Sequence, residues 1–169
     1  WPVTASSPGI MGWYGMVPFM ECFHGVVSLG HGLTGDLEIT DDSGQRRMVS
    51  FDGGRGYIEK DWGKAFPKGY VWIHTNHIEN DSTASLVASV AIIPWLGSSF
   101  RGFIVGLKHG GKLYRFTTYN KAKERKLTID DHGVSWILEG KDGRLEISAI
   151  RQRGGLLHAP LREAMHQRV

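Results

Sequence analysis

Apolar and polar residues alternate along much of the chain, which is the pattern of β-strands with one buried face. The alternation is clearest over residues 33–39, 134–139 and 145–150, where Trp136 and Leu138 mark the apolar side of the second stretch. Turn-forming residues separate these stretches at spacings of roughly 8 to 15 residues, which predicts about nine or ten strands. The sequence therefore predicts an all-β protein.

Short runs rich in glycine and aspartate predict tight turns between consecutive strands. The clearest is His109-Gly110-Gly111-Lys112, a hairpin signal between two apolar stretches, and residues 41–44, 130–133 and 141–144 are similar. Residues 82–100 carry no charge, and Pro94 interrupts them, so they are predicted as a buried strand followed by a loop. Hairpin-joined strands favour an antiparallel up-and-down β-barrel, which can enclose an apolar ligand, with a two-sheet sandwich as the alternative.

The length of 169 residues fits one domain, which we predict over residues 1–169. It consists of an apolar lead-in over 1–30, the meander over 31–155 and a short C-terminal helix over 156–169. That helix is predicted because Leu161, Met165 and Val169 repeat at helical spacing after Pro160. Prolines and glycines exclude a transmembrane helix in the lead-in. Because the chain begins at Trp1 without a methionine, we expect a piece of a longer protein.

Composition and charge narrow the class of partner. Glycine, at 23 residues, and 6 Trp, 5 Tyr and 7 Phe fit strands and turns rather than a coiled coil or a disordered chain. The net charge is only +3, and the dense basic run is confined to residues 121–126, so we expect no nucleic acid partner. That run is interpreted as a solvated surface, or as a site of peripheral contact with an anionic membrane. We expect a cytoplasmic protein.

Metal and disulfide chemistry are not expected either. Cys22 is the only cysteine, which excludes an intrachain disulfide and a thiolate metal cluster. His74 and His77 would point to opposite faces of a strand, and Cys22 with His24 gives too few ligands. We therefore predict no metal site.

Ionisable residues are packed among aromatic residues over 51–76. Strand alternation places Tyr57, Glu59 and Asp61 on one face, and Ile58, Lys60 and Trp62 on the other. Whichever face is buried, an ionisable group enters an apolar interior, where it must be paired or have a shifted pKa. A carboxyl group desolvated among aromatic rings can act as a general acid. The plainer alternative is a surface strand of ion pairs.

The next strand adds groups that suit a carbocation. Trp72, His74 and Asn76 share one face of it. Aromatic faces stabilise cations, and an asparagine amide can orient a hydroxyl group. Residue types alone thus suggest protonation of an apolar alkene and shelter of the resulting cation.

Several short motifs carry a resemblance to a known family. They read YIEKDWG at 57–63, FPK at 66–68 and WIHTN at 72–76, after PFME at 18–21, HG at 24–25 and GDL at 35–37. Over about residues 8–80 the chain resembles the tocopherol cyclase family. The resemblance implies a lipocalin-like (calycin-like) β-barrel, often in two halves, of which this chain would cover one. A missing second half, or a second copy in a homodimer, is the partner that this implies.

The resemblance also implies an activity. The plastid enzymes of the family close a prenylated hydroquinone into a chromanol, by protonating the prenyl double bond before a phenol oxygen attacks the tertiary cation. This reaction needs no redox cofactor, so no cofactor is expected. Neighbouring lipocalin-like families include carotenoid hydratases, which use related alkene protonation. The predicted function is a cofactor-free cyclase or lyase acting on a hydrophobic prenyl lipid or related polyene.

The predicted catalytic residues are Glu59 as general acid, Tyr57 and His74 as alternates, and Asp61 beside them. Asp61 stands where the plastid pattern has Asn, and His74 stands where it has Gln, so Glu59 fits the shared acid role better than Asp61. His74 is either an acid or base, or a partnered core histidine. The predicted substrate-binding residues are Trp62, Trp72, Asn76, Lys60, Arg55, Glu21 and His24.

The substrate-binding residues have separate expected roles. Lys60 or Arg55 would act on the acid through charge, Trp62 and Trp72 would line the cation site, and Asn76 would orient the phenol. Two other functions remain open. A non-catalytic carrier of a hydrophobic small molecule predicts a dry cavity, and a carbohydrate-binding sandwich predicts exposed tryptophans.

Overall fold

The computed structural model describes residues 3–4, 7–152, 156–158 and 166–168. Its helices are two short 3₁₀ segments, Gly12–Met16 and Thr118–Asn120. The strands are β1 Val3–Thr4, β2 Ser7–Pro8, β3 Cys22–Leu33, β4 Asp36–Thr40, β5 Arg46–Ser50, β6 Gly54–Gly63, β7 Tyr70–Thr75, β8 Ser85–Trp95, β9 Ser98–His109, β10 Lys112–Thr117, β11 Lys123–Ile129, β12 Gly133–Gly140, β13 Gly143–Ile150, β14 Leu156–His158 and β15 His166–Arg168. The prediction of an all-β protein is confirmed.

The chain divides into two compact units, the first over Trp1–Lys123 with Gly140–Asp142. Its largest sheet is antiparallel, with strand order β10-β9-β8-β7. β8 and β9 pair along their full length, so the predicted loop after β8 is wrong, and only a tight turn at Leu96-Gly97 separates them. Pro94 is tolerated inside β8 because β7 pairs with β8 only as far as Ala91, so no strand there needs its missing N–H.

β3 and β6 form an antiparallel ribbon with irregular register near Ser28, and β4 and β5 form a hairpin. The core joins Ile10, Val26 and Leu29 to Val87 of the large sheet. The β4–β5 hairpin lies mostly outside this core, and Leu37 is 49% exposed although alternation predicted it to face inward. A two-stranded hairpin can alternate in polarity without a second layer to cover it.

The second unit spans Glu124–Glu139 and Gly143–Val169 and contains the three-stranded sheet β11-β12-β13. Its buried residues include Trp136, Leu138 and Ile147, all on the predicted apolar side. Trp136 donates from Nε1 to Glu124 Oε2 at 3.0 Å, which satisfies the indole N–H inside the unit.

Finer fold predictions have mixed outcomes. The described strands form separate sheets and no closed barrel is found among them, so the up-and-down barrel stays a prediction, as does the single domain. In the predicted C-terminal helix, the described residues are instead the paired strands β14 and β15. The helical spacing there repeats only every fourth residue, which is too sparse to exclude a hairpin, and residues 159–165 and 169 lie outside the described part. No helix in the described part has the length and apolarity needed to cross a membrane.

Candidate functional site

The candidate site lies where β6 faces β3 and β7. In the β3–β6 ribbon, His24 lies opposite Asp61, and Val26 lies opposite Glu59. Directly opposed residues of an antiparallel pair share a face. The ribbon therefore presents Tyr57, Glu59 and Asp61 together with His24 on one face, as the alternation of the sequence predicted for the three β6 residues.

Tyr57, Glu59, Asp61, His24 and Trp72 form the acid cluster, and the Glu59 carboxyl group lies at its centre. Its Oε2 accepts a hydrogen bond of 2.5 Å from Tyr57 Oη and one of 3.0 Å from Trp72 Nε1. Among the described residues, every polar contact of this carboxyl group is made by Oε2, which leaves Oε1 available to a ligand. The side chain is 24% exposed, so the group is half-buried among aromatic rings and still reachable.

His24 connects the two carboxyl groups of β6. Its Nδ1 lies 2.5 Å from Asp61 Oδ1, and its Nε2 lies 3.9 Å from Glu59 Oε2. Nε2 is buried and has no hydrogen-bond partner within the described part of the chain. Such an unpaired buried nitrogen is costly in a folded protein unless it has another role. His24 was predicted to bind substrate, and the structure places it in the acid cluster.

His74 and Tyr57 stack with ring centroids 3.8 Å apart. Burial lowers the pKa of His74, although the charge of Glu59 opposes that shift. Its Nε2 is also buried without a hydrogen-bond partner in the described residues, and both predicted roles of His74 stay predictions. Burial, followed by the hydrogen bond to Glu59, raises the pKa of Tyr57, which makes this phenol a poor proton donor.

The opposite face of β6 holds a separate aromatic group. Trp62 stacks on Phe23 at a centroid distance of 5.5 Å, and Lys60 Nζ lies 5.3 Å from the Trp62 ring centroid. A Cβ at Gly25 would lie 3.2 Å from the indole, so glycine allows this close packing. Trp62 and Lys60 therefore do not join the Glu59 cluster, because strand alternation directs them to the other side.

Arg55 and Asn76 hold a loop rather than the acid cluster. The guanidinium of Arg55 donates to the main-chain carbonyls of Asn76, Ser82, Thr83 and Ala84. In return, Asn76 Nδ2 donates to the carbonyl of Arg55 at 3.3 Å. The planar guanidinium of arginine can donate to several carbonyls at once. Among the described residues, neither side chain makes a contact through which it could act on Glu59 or orient a phenol. The predicted roles of both residues need correction to a structural one.

The contacts that position Glu21 are made by its main chain. Its carbonyl accepts hydrogen bonds from the N–H groups of Lys64 and Ala65, and these tie the start of β3 to the end of β6. No side-chain contact with the Glu59 cluster is found for it in the described residues. The proposed substrate contact of Glu21 has therefore no support in this geometry.

An apolar pocket of about 290 Å³ lies beside the cluster. Ile10, Met16, Phe23 and Trp62 form part of its wall, and His24 is the one ionisable group among the described residues that line it. His24 thus belongs to both the pocket wall and the acid cluster. No motif pointed to Ile10 or Met16, and the only signal for them in the sequence was the long uncharged lead-in.

Cys22 is the first residue of β3. Burial, followed by the charge of Asp61, raises the pKa of its thiol from 9.0 to about 11. Near neutral pH we expect iodoacetamide to alkylate the folded protein about 10²-fold more slowly than the urea-unfolded chain, because the thiolate is the nucleophile. Since Cys22 is the only cysteine, mass spectrometry reads its alkylation directly.

The same shift gives a pH dependence of stability. Between about pH 9 and 11 the unfolded chain loses the thiol proton while the folded chain keeps it, so the free energy of unfolding falls as pH rises through this window. Urea titrations of Cys22→Ala should lack this part of the decrease in the free energy of unfolding between about pH 9 and 11. Equal alkylation rates for the folded and unfolded chains would contradict the prediction.

Comparison with known proteins shows the family of the chain. The family model for tocopherol cyclase-like proteins matches residues 1–168. The chain belongs to the tocopherol cyclase-like family.

A relative in the same family is a protein of rice (Oryza sativa subsp. japonica) described as a probable tocopherol cyclase, chloroplastic. The two are 28% identical over 168 residues, which are 96% of this chain and 34% of the relative. The chain therefore spans about a third of the length of this tocopherol cyclase-like relative. No solved structure matches the chain.

Proposed function

We propose that the protein is a cofactor-free cyclase that acts on a prenylated quinol or a related hydrophobic polyene. The observation that carries this proposal is the half-buried Glu59 carboxyl group, bound by Tyr57 and Trp72, in a chain of the tocopherol cyclase-like family. A carboxylic acid next to aromatic rings is suited to protonate an alkene and to border the cation that forms.

Glu59 is the general acid of this proposal. Tyr57 and Trp72 both donate to Oε2, so they fix the orientation of the carboxyl group and leave Oε1 towards the substrate. Protonation of the prenyl double bond at the less substituted carbon gives a tertiary cation. The phenol oxygen then forms the new C–O bond and releases its proton, so the reaction is an isomerisation without a redox step.

The aromatic rings of β6 and β7 are proposed to shelter the cation. Trp72 and His74 stack at a centroid distance of 5.9 Å, and Tyr57 also stacks on His74. The lowered pKa of His74 favours a neutral imidazole, which would not repel a cation. The apolar pocket beside His24 is the proposed site of the prenyl tail.

The proposal extends to fold and partners. A lipocalin-like barrel would complete the apolar surroundings of this face, and the packing of β3 against the large sheet is consistent with a curved wall. A second barrel half or a second copy, and peripheral contact with a membrane, stay predictions.

The test is incubation of the protein with a prenylated hydroquinone in deuterated buffer. We expect a chromanol that carries one deuterium on the ring carbon formed from the alkene, detected by mass spectrometry and proton NMR. No added metal or nucleotide should be needed.

A hydroquinone with a saturated chain is the matched control, because it offers the same apolar tail without an alkene. It should bind and give no product. If the unsaturated quinol binds equally well and is recovered unchanged, the cyclase proposal is wrong and the carrier function is favoured. A chromanol without carbon-bound deuterium would exclude alkene protonation by an exchangeable acid.

A further inference from the structure

His24 lies between the carboxyl groups of Asp61 and Glu59, and the proposed reaction assigns no step to it. Its Nδ1 is bound to Asp61, which is 48% exposed, while its buried Nε2 is directed at Glu59 Oε2 across 3.9 Å without a hydrogen-bond partner in the described residues. A hydrogen bond donated from Nδ1–H to Asp61 fixes which imidazole nitrogen carries hydrogen, as in other carboxylate–histidine pairs. A shift of about 1 Å would bring Nε2 within hydrogen-bond reach of Glu59.

We infer that His24, oriented by Asp61, is the positioning residue that exchanges the reacting proton with Glu59. This inference rests on the proposed function of Glu59 as general acid. His24 itself does not touch the alkene in this scheme, because Nε2 is enclosed next to the carboxyl group. Hydrogen bonds at such sites commonly tighten only when the substrate is bound.

The proton balance of the scheme is closed. The scheme starts with hydrogen on both nitrogens of the His24 ring and on Oε1 of Glu59. The Oε1–H bond breaks as the π electrons of the alkene form the C–H bond, while the Nε2–H bond breaks as an O–H bond forms on Oε2, the oxygen that faces His24. The phenol oxygen attacks the tertiary cation, and its proton goes to Oε1 while the Oε2 proton returns to Nε2. No oxidant, reductant or further reactant is consumed.

The other ionisable groups near the pair are poor competitors for this proton. Burial raises the pKa of both Cys22 and Tyr57, and it lowers the pKa of His74, so all three favour their neutral forms near neutral pH. Tyr70 of β7 also has a raised pKa, through burial and the charge of Asp61. The groups left to share the proton are Glu59, His24 and Asp61.

The kinetic test is chemical rescue. We expect His24→Ala to lower chromanol formation by about 10²-fold. Added imidazole should restore part of the lost turnover, because a free imidazole can occupy the vacated space and carry the proton. A purely structural histidine would not respond in this way. Full turnover in His24→Ala, or no rescue by imidazole in a variant that remains folded, would overturn the inference.

The matched control is His109→Ala. His109 Nδ1 lies 2.8 Å from Asp81 Oδ2, so it is also a histidine paired with a carboxylate, but none of its contacts within the described residues involves the Glu59 cluster. We expect its turnover to be unchanged and unaffected by imidazole. Rescue of His109→Ala to the same degree would show that imidazole acts nonspecifically, and would overturn the interpretation.

A second measurement decides the inference without turnover. Nitrogen-15 NMR of the free protein should show hydrogen on His24 Nδ1 in the neutral ring, and Asp61→Asn should remove that preference. Glu59→Gln should shift the Nε2 signal. An Nε2 signal that ignores Glu59→Gln overturns the exchange of protons, whatever the activity.

The two proposals fail in distinguishable ways. If Glu59→Gln retains full turnover, the acid of the proposed function is wrong. If Glu59→Gln is inactive while His24→Ala is fully active, only the role of His24 is wrong.

Discussion

Glu59→Gln should reduce chromanol formation by about 10²- to 10⁴-fold while the protein remains folded. The amide cannot donate a proton to an alkene with the strength of a carboxylic acid, yet its carbonyl oxygen can still accept the bonds from Tyr57 and Trp72. The loss should therefore appear in kcat, with KM for the prenylated quinol nearly constant. Initial rates over a range of substrate concentrations give both values.

The control for this variant is Glu38→Gln. Glu38 lies on β4 and pairs with Arg46 at 3.2 Å, on an exposed hairpin outside the cluster. We expect its rates to stay within about twofold of the wild type and its unfolding to change by no more than about 0.5 kcal/mol. Retention of turnover by Glu59→Gln would remove Glu59 from the mechanism, and circular dichroism would separate that result from misfolding.

Trp136→Ala should lower the free energy of unfolding by about 3–5 kcal/mol. Trp136 is 0% exposed and is the largest of the fully buried side chains among the described residues. Its removal leaves a cavity in the second unit and takes the Nε1 hydrogen bond away from Glu124. Urea titration followed by circular dichroism measures the effect.

Ile150→Ala is the matched control in the same three-stranded sheet. Ile150 is 82% exposed, so its truncation removes no buried contact, and we expect a change of at most about 0.5 kcal/mol. Comparable losses in the two variants would contradict the burial of Trp136. The alternation over residues 134–139 predicted that Trp136 lies on the buried face, and the two variants together test that prediction.

Turn-forming residues and strand alternation made several features predictable from the sequence. The turn at Gly110-Gly111 joins β9 to β10 as predicted, since glycine readily adopts the positive φ angles of 55° and 74° found there. The faces of β6 were also predictable, because side chains alternate strictly along a strand. Glu59, Tyr57 and Asp61 therefore share a face.

Other features depended on distant parts of the chain. Pro94 indicated a loop, but the length of the neighbouring strand β7 allowed it to stay inside β8. Arg55 looked like a charge acting on the acid until the carbonyls of residues 82–84 proved to bind its guanidinium. Neither outcome is encoded near the residue concerned.

The sequence by itself determined an all-β chain, the face of β6 that carries Glu59, and the resemblance to the tocopherol cyclase family. These follow from periodicity of two and from short motifs, which are local properties of the chain. Only the tertiary structure decided that His24 lies between Asp61 and Glu59, and that Trp62 stacks on Phe23. His24 and Asp61 are 37 positions apart in the sequence, and the register between their strands sets those contacts. No local pattern specifies the register of such distant strands.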